Sequence, residues 1–121
     1  SSFKEDYVYE LTGPSEKPKG WLITFTAKPD IVGLWDRFEL VVSPDGTLPI
    51  EARYYDRKGR LARTIYWDEV KVFDGKRIPA HMRLVPEDQE GQQTEMRYYT
   101  IDFDVDVPDS AFSLSNLEQQ R

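Results

Sequence analysis

Residues 37 to 55 read Arg37-Phe38-Glu39-Leu40-Val41-Val42-Ser43-Pro44-Asp45-Gly46-Thr47-Leu48-Pro49-Ile50-Glu51-Ala52-Arg53-Tyr54-Tyr55. Phe38, Leu40 and Val42 recur with a period of two, while Arg37 and Glu39 point the other way, as successive side chains of a β-strand do. Pro44-Asp45-Gly46-Thr47 then supplies turn chemistry: a proline with its φ already set, an aspartate that bonds its own backbone, and a glycine. Beyond the turn Ile50, Ala52 and Tyr54 resume the alternation. The stretch is therefore an antiparallel hairpin with one apolar face.

Outward from this hairpin the same grammar repeats. Aromatic residues make up 13% of the chain, and Val, Ile and Thr fall in short runs punctuated by Gly, Pro and Asp. The runs predict strands at Tyr7 to Thr12, Trp21 to Lys28, Arg37 to Ser43, Pro49 to Asp56, Leu61 to Glu69, Ile78 to Val85 and Thr94 to Val107. Turns are expected at Asp56-Arg57-Lys58-Gly59, at Asp74-Gly75-Lys76 and over the polar residues Glu87 to Gln92. Two longer links, Gly13 to Gly20 and Pro29 to Asp36, are expected as loops at the rim. Helical periodicity is absent, so nothing is available for the crossovers that parallel strands need. The fold class is mainly β, a curved antiparallel meander forming an incomplete, half-open β-barrel in one domain over residues 1 to 121.

Alternation also sorts the faces. Ile65 and Trp67 join the hairpin's apolar side, as do Tyr99, Ile101, Phe103 and Val105, with Asp102, Asp104 and Asp106 opposite. Pro108 begins a short turn that tucks Phe112 and Leu114 against the apolar side. An antiparallel sheet normally covers such a face with a second layer, and this chain has none to spare. A cupped sheet with a greasy concave face follows, either a cavity or a docking surface.

Charge and composition narrow the function. Lys and Arg number 16 against 22 Asp and Glu, a formal net charge of −6 with both signs interspersed. That balance argues against nucleic acid and anionic membrane surfaces as partners. Without cysteine there is no disulfide, thiolate metal site or cysteine nucleophile. The single histidine, His81, makes no catalytic triad and reads as a half-exposed strand residue; the Asp102, Asp104, Asp106 stripe reads as a solvated face and not a metal site. Asp68 with Glu69 and Asp36 with Glu39 sit beside basic residues and read as cross-strand ion pairs. The aromatics Trp21, Trp35, Trp67, Tyr54, Tyr98 and Tyr99 divide between core and cavity lining. No catalytic residue, metal or cofactor is expected, and the protein is not read as an enzyme.

From Phe38 to Leu117 the chain resembles the bacterial outer-membrane lipoprotein-sorting family of LolA and LolB type. The carriers are the Phe38 to Ala52 hairpin, Tyr55-Asp56-Arg57-Lys58-Gly59-Arg60-Leu61, Trp67-Asp68-Glu69-Val70-Lys71 with Asp74-Gly75-Lys76-Arg77-Ile78-Pro79, and Val107-Pro108-Asp109-Ser110-Ala111-Phe112-Ser113-Leu114 near Asn116-Leu117. The resemblance implies an incomplete barrel with a helical lid, located in the periplasm, whose cavity accepts lipid acyl chains or lipoproteins. It implies too that the chain is the C-terminal portion of a longer precursor whose signal segment lies upstream. By alternation the hydrophobic wall is Phe38, Leu40, Ile50, Ala52, Tyr54, Ile65, Trp67, Ile101 and Phe103. The alternative is a protein-interaction or sensor module of the cell envelope on the same scaffold. The end strands of an open sheet further predict that the fragment self-associates as a homodimer.

Overall fold

The structure is a computed structural model that describes residues 6–30 and 35–101. Seven strands form it: β1 (Tyr7–Glu16), β2 (Lys19–Ala27), β3 (Arg37–Val42), β4 (Pro49–Tyr55), β5 (Leu61–Phe73), β6 (Lys76–Pro86) and β7 (Thr94–Arg97). They lie in one antiparallel sheet in sequence order, the meander expected from the short turns. Among the described residues β1 and β7 do not pair, so the sheet is not closed and each is an edge.

Register places the two faces. Across the sheet run the rows Tyr9, Phe25, Phe38, Tyr54 and Leu11, Ile23, Leu40, Ala52, Ile65, Leu84, with Trp67, Met82 and Met96 beyond them. Opposite them run Glu10, Thr24, Glu39, Arg53, Thr64 and Val41, Glu51, Tyr66, Arg83, Glu95, then Asp68, His81, Arg97. The first face carries the core: Trp35, Phe38, Ala52, Tyr54 and Ile65 are buried together, and Tyr7, Phe25, Leu40, Trp67, Met82 and Leu84 pack against them. The second face is held by charge. Arg53 pairs with Glu51 and, at 3.3 Å, with Glu39, which also accepts a 2.8 Å hydrogen bond from the Tyr55 hydroxyl.

Where element ends depart from the sequence expectation, the causes are local. Gly13 to Gly20 is not a loop: β1 and β2 run through it to a hairpin with Glu16 opposite Lys19. Pro14 fits because β1 is an edge strand, where a missing N–H breaks no ladder. A register shift between Leu11 and Gly13 absorbs the irregularity. Gly20 is required by close approach, since a Cβ there would stand 1.9 Å from the Val42 carbonyl oxygen. β5 and β6 also run further than expected, to Phe73 and from Lys76. Their turn places Asp74 and Gly75 at φ 50° and 76°, both positive, as a hairpin turn matching strand twist demands.

β7 is shorter than the expected Thr94 to Val107 and ends at Arg97. Among the described residues beyond it, the 2.8 Å bond from the Tyr98 N–H to the Ala80 carbonyl continues its course. Tyr99 is 79% exposed and is not part of the apolar face. Phe103, Val105, the aspartates at 102, 104 and 106, and the expected turn around Phe112 lie outside the described residues.

Candidate functional site

The apolar face is built from rings stacked across strands. Phe25 and Phe38 lie face to face at 4.4 Å between centroids, and Tyr54 stacks on Phe38 at 5.2 Å. Tyr7 meets the Phe38 ring edge-on at 5.5 Å. Offset and edge-on pairs of this kind add to what burial alone contributes. These rings come from β1, β2, β3 and β4, and the stack exists because cross-strand partners share a face.

Trp35 caps this stack from the β2–β3 connection. Its ring lies 5.4 Å from that of Tyr54, its carbonyl accepts a 3.2 Å hydrogen bond from the Tyr7 hydroxyl, and the Arg63 guanidinium stands 5.3 Å from its centroid. Trp35 is thus fixed at three points while burying nearly all of its surface. Alternation could not place it, because it sits outside any strand; a tryptophan in a link that also carries Ile31, Val32 and Leu34 was the available signal.

Of the expected wall, Phe38, Ala52, Tyr54 and Ile65 lie together in the buried cluster, with Leu40 and Trp67 half-buried beside them. Ile50 is half-buried but stands where the β3–β4 register shifts, and it falls outside the cluster. Ile101 is half-buried beyond the end of β7, and Phe103 lies outside the described residues. Phe25, Met82 and Leu84 belong to the face and had the right period in their own strands. Towards the edges the face is open: Tyr9 and Leu11 on β1 are 74% and 64% exposed, and Trp21 and Met96 are partly so.

A groove of about 340 Å³ lies where the β1–β2 hairpin meets the β3–β4 turn, lined by Pro14, Trp21 and Pro44 among others. The Trp21 indole N–H donates to the Pro44 carbonyl at 3.1 Å, which joins the two turns.

The polar face carries a second cluster. His81 is buried, not half-exposed as its place in the sequence suggested, with 7% of its surface accessible. Its Nδ1 lies 2.5 Å from Asp68 Oδ1 and its Nε2 2.8 Å from Glu95 Oε1, both at hydrogen-bond distance. The Asp68 hydrogen bond, then that of Glu95, holds the imidazole above its ordinary 6.5 against the opposing effects of burial and of Arg97. Asp68, Glu69 and His81 bring potential ligand atoms within 4.8 Å of one another. Both ring nitrogens are nevertheless engaged by carboxylates, and the Arg97 guanidinium stands 3.6 Å from Glu69, so the arrangement is a network of charged groups centred on the His81 ring. Of the carboxylates read as ion-paired, Glu39 meets Arg53 across β3 and β4, and Asp36 meets Arg57 at 3.5 Å.

Among the described residues no helix is long and apolar enough to cross a membrane. A comparison with curated proteins finds no match. Solved structures do match. A DUF1329 family protein from Desulfovibrio piger is similar with a TM-score of 0.73 and 26% identity, over 93% of this chain and 48% of its own. A LolA superfamily protein from Nitrosomonas europaea is similar at 0.71 and 20% identity, over 92% and 50%. A putative outer membrane lipoprotein-sorting protein domain from Vibrio parahaemolyticus is similar at 0.72 and 17% identity, over 98% and 51%. The chain thus spans about half the length of each of these structures and has the fold of that half. A family model described as "-like: Uncharacterized protein" matches residues 1–119, nearly the whole chain, and it is to that family, with a LolA-like sheet as its fold, that the chain belongs.

Proposed function

We propose that this domain is a carrier or chaperone of the bacterial cell envelope that holds the acyl chains of lipids or lipoproteins against the apolar face of its sheet, and that it works in the periplasm. The observation that carries this reading is a sheet with one largely apolar face, capped among the described residues by Trp35 with the Arg63 guanidinium beside it. Binding on such a face is by area. Each methylene removed from water contributes roughly 0.8 kcal/mol, so a chain of about ten methylenes gains about 8 kcal/mol, of the order of the cost of association, and longer chains bind more tightly without directional contacts. The buried rings Phe38 and Tyr54 form the floor. Leu40, Trp67, Met82 and Leu84 form the half-buried border, and Met96 and Trp21 mark where a chain enters. No residue acts chemically.

The test is titration with a fluorescent acyl probe. Met96→Asp and Trp67→Asp place a carboxylate on the border without touching the floor. They should weaken the probe by roughly tenfold or more, since the new charge must be desolvated. Probe affinity equal to wild type in both folded variants removes this face as the binding surface.

A further inference from the structure

We propose that His81 is a proton-operated latch: carrying both ring protons it ties edge strand β7 to β5 and β6, and on losing one it frees β7 and opens the apolar face along β6. This rests on the carrier reading for its purpose but not for its mechanism.

The geometry is that of a clasp. His81 lies mid-strand on β6, Asp68 directly across on β5, and Glu95 one step along on β7. The imidazole bonds both carboxylates at once, at 2.5 Å and 2.8 Å, so three strands meet at one ring. Only the doubly protonated ring has two donors; a neutral imidazole has one, and its other nitrogen turns a lone pair towards a carboxylate. Deprotonation therefore replaces an attractive contact with a repulsive one on one side of the ring.

The side that yields is set by the ladders. β5 and β6 pair along their length, from Arg63 with Pro86 to Phe73 with Lys76, whereas β7 pairs only from Thr94 to Arg97 and all its residues are exposed. Besides that short ladder β7 is tied down by the Glu95 bond and the Arg97–Glu69 pair at 3.6 Å, and its flanks by the Tyr98 N–H to Ala80 carbonyl bond and the Arg83 to Gln93 bond at 3.4 Å. Around the ring stand Asp68, Glu69 and Tyr66 from β5, Arg83 from β6, and Glu95 and Arg97 from β7. Arg83 is drawn aside onto the Tyr66 ring, 4.4 Å from its centroid. Behind β7, Met96 faces Met82 and Thr94 faces Leu84, and Met82 and Leu84 pack on the core. Release of β7 uncovers both and leaves the β6 edge unpaired.

The sign follows from linkage. The undocked state keeps the Asp68 bond but loses that of Glu95, so the docked state holds the His81 proton more tightly; the Glu95 contribution is complete below the undocked value and is lost as pH rises through the docked one. Between the two values docking weakens by up to about tenfold per pH unit.

The experiment uses the whole chain and reads amide hydrogen exchange by NMR from about pH 5.5 to about pH 9, corrected for intrinsic base catalysis. His81 is the only histidine, so its ring signal reports one titration. Protection in β7 should fall with the midpoint of that signal while β3 and β4 stay level. Glu95→Gln, at an exposed edge position, should lower the His81 midpoint and leave β7 weakly protected at every pH. Uptake of the acyl probe should quicken through the same midpoint in wild type and be fast throughout in Glu95→Gln. Level β7 protection across the titration overturns the latch, and the probe's binding then still stands for the carrier reading. Opening of β7 with no probe binding at any pH leaves the latch and overturns the carrier.

Discussion

Phe38 shows how much one side chain does here. It is 3% exposed, stacked between Phe25 and Tyr54, and met edge-on by Tyr7, so four strands converge on one ring. Phe38→Ala should cost about 3–5 kcal/mol in chemical denaturation, the range for a buried aromatic whose site cannot collapse. A loss below about 1 kcal/mol would mean that the ring is not packed as described. Position 38 was legible in the sequence, as were Ala52, Tyr54 and Ile65, because alternation assigns sides reliably in a half-buried sheet. Alternation does not assign depth. Val41 and His81 fall on the charged side, yet one is fully buried and the other nearly so. Burial of His81 depends on two carboxylates from neighbouring strands, and no pattern within β6 announces them.

At the scale of elements, the β3–β4 turn is the best determined. Asp45 accepts from the Ser43 hydroxyl at 2.5 Å, the Thr47 hydroxyl at 2.7 Å and the Thr47 N–H at 3.0 Å, and Ser43 Oγ accepts in turn from the Leu48 N–H. The Ser43 hydrogen bond, then those of Thr47, hold the Asp45 carboxyl far below its ordinary 3.8. A depressed carboxyl stabilises the fold above its unfolded value, and that contribution fades as pH falls through the depressed one. Asp45→Ala should therefore lower Tm at neutral pH, and the gap to wild type should narrow when both are measured at pH 3 or below, about where the unfolded carboxyl takes up its proton. An equal gap at both pH values would mean that the carboxylate does not hold the turn. This turn was legible as Pro-Asp-Gly-Thr. The β1–β2 hairpin was not, because Gly13, Pro14, Pro18 and Gly20 are loop residues by propensity. They are tolerated here through edge position, a register shift and close packing on Val42.

At the largest scale, the order β1 to β7 leaves two edges unpaired among the described residues, beside a largely apolar face. Unpaired N–H and C=O groups invite a second chain, and Tyr9 and Leu11 on β1 add exposed apolar surface. A net charge of −6 opposes association. Raising salt screens that repulsion, so sedimentation velocity at high micromolar concentration should show a shift towards dimer as ionic strength increases. A strict monomer at both low and high salt would mean that the edges are protected.

The central claim, that the apolar face exists to hold acyl chains, is tested most directly by native mass spectrometry of the chain purified from bacterial periplasm, with extraction of whatever accompanies it. The account predicts adducts with acyl-lipid masses that diminish in Met96→Asp and Trp67→Asp. A wild-type protein that is folded, monodisperse and free of acyl material, and that stays so after incubation with lipid vesicles, would contradict it.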